Sequence, residues 1–415
     1  MTLLLVQMTV VLLVTLLCGW LARKVGQARV VGEIIGGILI GPSVFGRFSP
    51  HWSASLFPPA SLTGLDILST VGLILFLFLI GMELDYEQLY KHRATAVMAS
   101  GMSIVFPFAM GALLAHSLRI RFAPHGIGNI PFVLFLCISM SITAFPVLAR
   151  ILEERRIQST ALGTTAILCA AVDDVVAWTL LAVALALIRH GGGSASLPLR
   201  LVGLAVYLFL MVGVVRPFAT WIAKRMRTTT DLSIEMLGMV LAFTLISAAA
   251  TEAIGVHPLF GAFMAGVCFP RVERWQTAMR AKLDMLISVL LLPLFFAQTG
   301  MRTRLDLFNG SSVWFWSAIV LVAAVFGKMG GAALAARWNG QTWKDAVALG
   351  TLLNTRGLVE LIVLNIAYNV GAFTPTLFTM LVVMALVTTM ITTPLLDVLG
   401  VENAEKSSEK VEAAA

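Results

Sequence analysis

Apolar runs of roughly twenty residues follow one another along this chain, separated by short charged or Gly/Pro-rich breaks. They fall at 3–22, 29–41, 63–82, 94–117, 131–150, 160–187, 197–221, 233–251, 256–270, 283–300, 312–336, 346–370 and 374–399. A helix rises about 1.5 Å per residue, so about twenty apolar residues match the hydrocarbon thickness of a bilayer. The pattern predicts an all-α polytopic membrane protein with about thirteen transmembrane helices, of which the second and ninth are short. Thirteen divides as six, one and six. A linker helix at 197–221 between two six-helix halves makes those halves inverted repeats in the membrane.

Composition agrees. Of 415 residues, 59% are hydrophobic and only 12% charged, with a mean hydropathy of +0.92, too few charges to clothe a soluble protein of this size. The net charge of +7 does not point to nucleic acid, because the cations are sorted by side. With the loop holding Arg23, Lys24 and Arg29 taken as cytoplasmic, that side carries seventeen Lys and Arg against seven outside, the positive-inside bias. The expectation is an inner-membrane protein with its N-terminus outside and its C-terminus in the cytoplasm. Its first run lacks a basic prelude and a small-residue cleavage site, so it reads as a retained helix. The tail at 401–415 reads as short, cytoplasmic and disordered, with no soluble domain after it. Cys18, Cys137, Cys169 and Cys268 lie in apolar runs without metal-ligand spacing and read as packing residues. No cofactor is expected.

Against this apolar background the charged residues inside spans stand out. Asp173 and Asp174 sit side by side at the middle of 160–187. A carboxylate at bilayer depth costs at least about 2.5 kcal/mol, and such residues mark ion or proton paths. Neighbours on a helix are turned by about 100°, so the two acids flank one crevice without pointing the same way. Lys328 lies too far inside its span to snorkel to both headgroup layers, and its partner is Asp173 or Asp174.

Two spans also carry breaks. The fifth has Ser139, Ser141 and Thr143 followed by Pro146, where proline removes a donor and hydroxyls can satisfy what is freed. The twelfth is interrupted by Asn354, Thr355, Arg356 and Gly357. Interrupted helices at matching places in two repeats point to a transporter's midplane site, because helix ends offer carbonyls to cations. Glu360, four residues after Arg356, is its expected partner and a possible accessory group. Glu83, Asp85 and Glu87 read as a solvated loop, Arg216 as an interface residue, and Glu252 and His257 as loop residues or a proton entry. Gly32, Gly36, Gly37 and Gly41 allow close helix approach.

ITAFPVLARIL, then AAVDDVVAWTLLA about twenty residues on, then GKMGG around Lys328, then LNTRGLVELIVLNI occur in this order. Together they resemble the monovalent cation:proton antiporter superfamily, in particular its branch of bacterial Na⁺/H⁺ exchangers, gated K⁺ efflux antiporters and plant cation/H⁺ exchangers. The resemblance implies two crossed, partly unwound helices and a homodimer. It implies a dimerisation part at about 1–90 and 233–300, and a core at about 94–187 and 312–399. Carried onto this chain, it makes Asp174 the main cation- and proton-binding acid and Asp173 its companion. Lys328 is then the charge partner of Asp173, and Thr143 lends an oxygen to the cation. The plant and fungal-type sequences carry Asn-Asp where this chain has Asp-Asp. Gated efflux systems append a nucleotide-binding domain that this sequence does not contain, so K⁺ selectivity is not borrowed from them.

The reading that follows is antiport of Na⁺ or K⁺ against H⁺ by alternating access, with membrane lipid as surroundings and no nucleic-acid partner. The alternative is a sodium-coupled solute symporter, which needs polar pocket groups of which the spans facing Asp174 offer few. An intramembrane aspartyl protease needs two facing aspartates from different helices, which an adjacent pair does not supply.

Overall fold

The computed structural model describes residues 2–83, 93–158, 160–188, 197–225 and 233–401. Helices α1 (Thr2–Lys24), α2 (Arg29–Ile40), α3 (Leu62–Glu83), α4 (Arg93–Phe122), α5 (Asn129–Ser141), α6 (Phe145–Glu154) and α7 (Ala161–Ile188) make up the first part of the chain. A connecting helix, α8 (Leu197–Leu210) running through a π-turn into α9 (Arg216–Arg225), follows. After it come α10 (Ile234–Ile254), α11 (Pro258–Val267), α12 (Glu273–Leu286) with α13 (Leu292–Arg302), α14 (Ser311–Trp338), α15 (Trp343–Leu353), α16 (Leu358–Asn369) and α17 (Pro375–Val398). No strand occurs among the described residues.

Ten of the described helical stretches are long and apolar enough to cross a membrane, eleven when α15 and α16 count as one bent span. Length therefore does not yield the thirteen spans expected. The fifth run is divided between the short helices α5 and α6, and the ninth contains the short α11. The second, short in sequence, reaches twenty residues because helical turns continue to Phe48. The acidic run expected as a solvated loop falls outside the described residues, which include neither Asp85, Glu87 and the side chain of Glu83 nor the tail from 402.

Helix ends follow the local chemistry. Ser233, Thr342 and Thr374 accept from the backbone amides of Met236, Asp345 and Leu377 as N-caps, and Gly255 closes α10 in the left-handed region at φ 94°. His257 is the N-cap of α11 through Nδ1, while Glu252 is exposed at the end of α10. Both π-turns, Met211–Val215 and Ile287–Leu291, stand just before a proline, Pro217 and Pro293. A proline has no N–H and its ring crowds the carbonyl four residues back, so the helix widens by one residue there.

The chain forms two compact units. The first comprises 1–17, 33–85 and 182–300. Within it small residues bring backbones together: a Cβ on Gly81 would strike the carbonyl of Phe263, one on Gly266 that of Phe78, and one on Gly37 that of Ala297. The second comprises 18–32, 86–181 and 301–415. There Gly32 lies on the Cys18 carbonyl, and Gly327 and Gly331 seat α14 on α4 at Pro107 and Met102. Gly350 seats α15 on α14 at Met329. That close packing carries Lys328, one residue from Gly327, into a fully buried position.

Candidate functional site

Both broken spans belong to the second unit, and their breaks meet. Pro146, at the second position of α6, has no N–H for the carbonyl of Ile142, and the chain runs extended there, at φ −71° and ψ 138°. The side chain of Pro146 lies outside the described set. In the second broken span Asn354–Gly357 separate α15 from α16, which bend by 43°. Across the two breaks the Ala144 amide donates to Thr355 O at 2.9 Å, and the hydroxyl of Thr143 reaches Leu353 O at 3.0 Å. Gly357 permits this approach, since a Cβ there would lie 2.7 Å from Val147 and 3.1 Å from Ala144.

A helix that stops inside the membrane leaves its last carbonyls without amide partners and its dipole's negative end exposed. Here two cations cover that end of α5. Arg356 donates through Nη1 to Ser139 O at 2.8 Å and through Nη2 to Met140 O at 2.6 Å, while Lys328 Nζ donates to Ser141 O. The serine hydroxyls expected to satisfy these groups bond one turn back instead, Ser139 to Phe135 O and Ser141 to Cys137 O, both at 2.7 Å. Glu360 lies 3.3 Å from Arg356 Nη1 and both side chains are fully buried, so the expected i,i+4 pair is present as an ion pair.

The two aspartates, 2% and 1% exposed, have opposite surroundings. Asp173 is saturated. Its Oδ2 accepts from Lys328 Nζ at 2.7 Å and Thr143 Oγ1 at 2.6 Å, with Ser103 Oγ at 3.4 Å, and its Oδ1 accepts from Ser100 Oγ at 2.6 Å. Lys328 therefore pairs with Asp173, and its complete burial excludes a snorkelling lysine. Asp174 has no such shell: among the described residues neither of its carboxylate oxygens, both buried, has a hydrogen-bond partner. The side-chain oxygens of Asn354 and Thr355 at the second break are likewise buried without partners.

An unpartnered carboxylate in an apolar interior is too costly to stay charged, and it persists only when a proton or a cation cancels its charge. The doublet thus divides into a carboxylate with four donors and one with none. Ser100 and Ser103 were not singled out in the sequence, although their spacing of three places both hydroxyls on one face of α4.

The chain matches the sodium/hydrogen exchanger transmembrane family over residues 12–399. It is 40% identical over 400 residues to the Na⁺/H⁺ antiporter NhaS4 of Synechocystis, covering 95% of this chain and 97% of that one. It is 41% identical over 411 residues to the cation/H⁺ antiporter 17 of Arabidopsis thaliana, covering 99% of this chain but 50% of the relative, so it spans half the length of that plant protein. Among solved structures, the sodium proton antiporter MjNhaP1 of Methanocaldococcus jannaschii superposes with a TM-score of 0.67 at 15% identity, covering 95% of each chain, a likeness of fold. With its two breaks and its acidic doublet inside the matched region, this chain belongs to the sodium/hydrogen exchanger family.

Proposed function

We propose that this protein exchanges an alkali cation, Na⁺ or K⁺, for protons across the cell membrane by alternating access, with Asp174 as the carboxylate that holds either load in turn. The observation that carries this reading is the contrast within the doublet: Asp174 is buried with both oxygens unpartnered, beside an Asp173 that already has four donors. A proton and a monovalent cation cancel the Asp174 charge equally well, so they compete for one place, and competition for one place is what antiport requires. Hard cations prefer oxygen. Asn354 Oδ1, Thr355 Oγ1 and the lone pairs of Thr143 are neutral oxygens that the broken segments offer to complete a shell. The antiporter names of the two sequence relatives support the reaction class.

In this reading Lys328 and Asp173 form the charge partner of the site, and a change in the protonation of Lys328 supplies a second proton per cycle. Two protons against one cation move one net charge, worth about 2.3 kcal/mol per 100 mV, so an inside-negative potential drives cation export. The sidedness of Lys and Arg supports an N-terminus outside and a C-terminus in the cytoplasm. The unit that carries the site moves as one body within a homodimer, by analogy with the family.

Proteoliposomes reporting internal pH on addition of Na⁺, K⁺ or Li⁺ test the assignment. Asp174→Asn abolishes exchange, whereas Asp173→Asn retains exchange with weaker dependence on membrane voltage. Undiminished transport by the Asp174 variant refutes the assignment.

A further inference from the structure

Asp173 Oδ2 is gripped by two close donors, Thr143 at 2.6 Å and Lys328 at 2.7 Å, while Oδ1 is gripped by Ser100 at 2.6 Å. Ser100 is fully buried on α4, a helix that supplies neither a break nor a charge to the site. A carboxylate's last torsion is soft and roughly two-fold, so a carboxylate held at one oxygen can still swing, whereas one held at both cannot. The next residue on the helix is Asp174, whose oxygens have no hydrogen-bond partner. Whether one carboxylate or two face the cation therefore depends on whether Oδ1 is held.

We infer that Ser100 is a positioning residue that sets cation affinity: by holding Asp173 Oδ1 it keeps the first carboxylate turned toward Lys328 and leaves the cation to Asp174 alone. This rests on the reading of Asp174 as the loading site. With the hydroxyl gone, Oδ1 loses its donor, its charge is no longer spent on a hydrogen bond, and the negative potential beside Asp174 rises. A cation then binds more tightly and leaves more slowly. The serine thus trades affinity for turnover. Ser103, one turn further along α4, is equally buried but reaches the already occupied Oδ2 at 3.4 Å and accepts from Lys328 Nζ at 3.5 Å, leaving Oδ1 to Ser100. It belongs to the same packing with a weaker grip on the carboxylate.

The test is Na⁺- and K⁺-driven exchange in proteoliposomes at alkaline pH, where protons compete least. In Ser100→Ala the KM for the cation falls roughly three- to tenfold, the scale of one ordinary net hydrogen bond, and the maximal rate falls by a similar factor. Ser100→Thr, which keeps the hydroxyl, returns both toward the wild-type values, and Ser103→Ala shifts KM less than Ser100→Ala does. A loss of packing alone lowers the maximal rate without lowering KM. Should Ser100→Ala or Ser100→Thr fold poorly, stabilisation of the purified folded fraction by added Na⁺ or K⁺ reads the same affinity, and it must be reached at lower concentration in the alanine variant. An unchanged or raised KM in Ser100→Ala, or an equal shift in Ser103→Ala, overturns the inference. If Asp174→Asn is inactive while Ser100→Ala behaves as wild type, only this inference fails. If Asp174→Asn still transports, the loading-site reading fails with it.

Discussion

Replacing Lys328 by methionine keeps the length of the side chain and removes its charge. The ammonium is fully buried, bonds Asp173 Oδ2 at 2.7 Å and covers the carbonyl of Ser141 at the end of α5. Taking one member from a buried ion pair leaves the other charged and uncompensated, which costs about 3–5 kcal/mol. Ser100, Thr143 and Ser103 still hold Asp173, so the lower end of that range applies, about 3 kcal/mol. Asp173→Asn alone costs less, about 1–3 kcal/mol, because its amide oxygen still accepts from the hydroxyls and Lys328 keeps Ser141 O. The double variant leaves no buried charge at this position and falls within about 1 kcal/mol of the less damaged single variant. The folded fraction across an SDS titration of protein in dodecyl maltoside micelles measures all four corners of the cycle. A coupling between the two sites of about 2 kcal/mol or more is expected. If Lys328→Met costs under about 1 kcal/mol, or if adding Asp173→Asn to it brings no recovery, the pair is not holding this region together and the proposed division of the doublet into fixed and loadable acids loses its basis.

Other perturbations follow from the same geometry. Arg356→Gln strips Ser139 O and Met140 O of their donors and leaves Glu360 without its counter-ion, so it destabilises by about 3–5 kcal/mol in the same titration. Glu360→Gln removes a carboxylate that makes no hydrogen bond, and equal losses in the two variants would contradict the capping role of Arg356. Gly331→Val drives a side chain into the Met102 carbonyl and to within 2.9 Å of Phe106 Cβ, pushing α14 off α4. Overpacking of this kind costs about 1–3 kcal/mol and shifts Lys328 away from Asp173. Gly330, beside which a Cβ meets nothing within 4 Å, tolerates the same change, and comparable exchange rates for the two valine variants would refute the packing argument.

Much of this site is legible before any coordinates because its background is so apolar. A charge in the middle of a twenty-residue hydrophobic run has few structural excuses, so Asp173, Asp174, Lys328 and Arg356 announce themselves by position alone. The breaks at Pro146 and Asn354–Gly357 are visible for the same reason. Partnership is less legible. Periodicity cannot say which of two adjacent acids meets a lysine from a helix 155 positions away, and the pairing is decided by Gly327 and Gly331 setting the depth of α14 against α4. Ser100 and Ser103 escape notice because serine in a membrane helix is ordinary and commonly bonds its own backbone. The reach of Arg356 to carbonyls 217 and 216 positions earlier has no signature in sequence at all. The span count is blurred by the breaks themselves, because an interrupted helix is too short to register as a span.

The breaks also explain each other. Each leaves peptide groups unsatisfied in a medium without water, and each is completed largely by groups of the other. The end of α5 is covered by Arg356 from the second break and by Lys328, the amide of Ala144 is satisfied by Thr355 O, and Leu353 O lies within hydrogen-bond reach of Thr143. Thr389 closes what remains, accepting from the amide of Arg356 at 3.1 Å and donating to its carbonyl at 2.6 Å. Two defects that separately cost several kcal/mol become one structure in which almost every polar group has a partner. The groups left without a hydrogen bond around the breaks are the carboxylate of Asp174, the side-chain oxygens of Asn354 and Thr355, and Arg356 Nε with the carboxylate of Glu360, of which only that last carboxylate has a counter-ion beside it. In the reading proposed above, the uncompensated oxygen of Asp174, Asn354 and Thr355 is where an ion or a proton is received. Arg356 and Lys328 are spent on the helix end and on Asp173, which keeps both fixed cations from filling that place permanently.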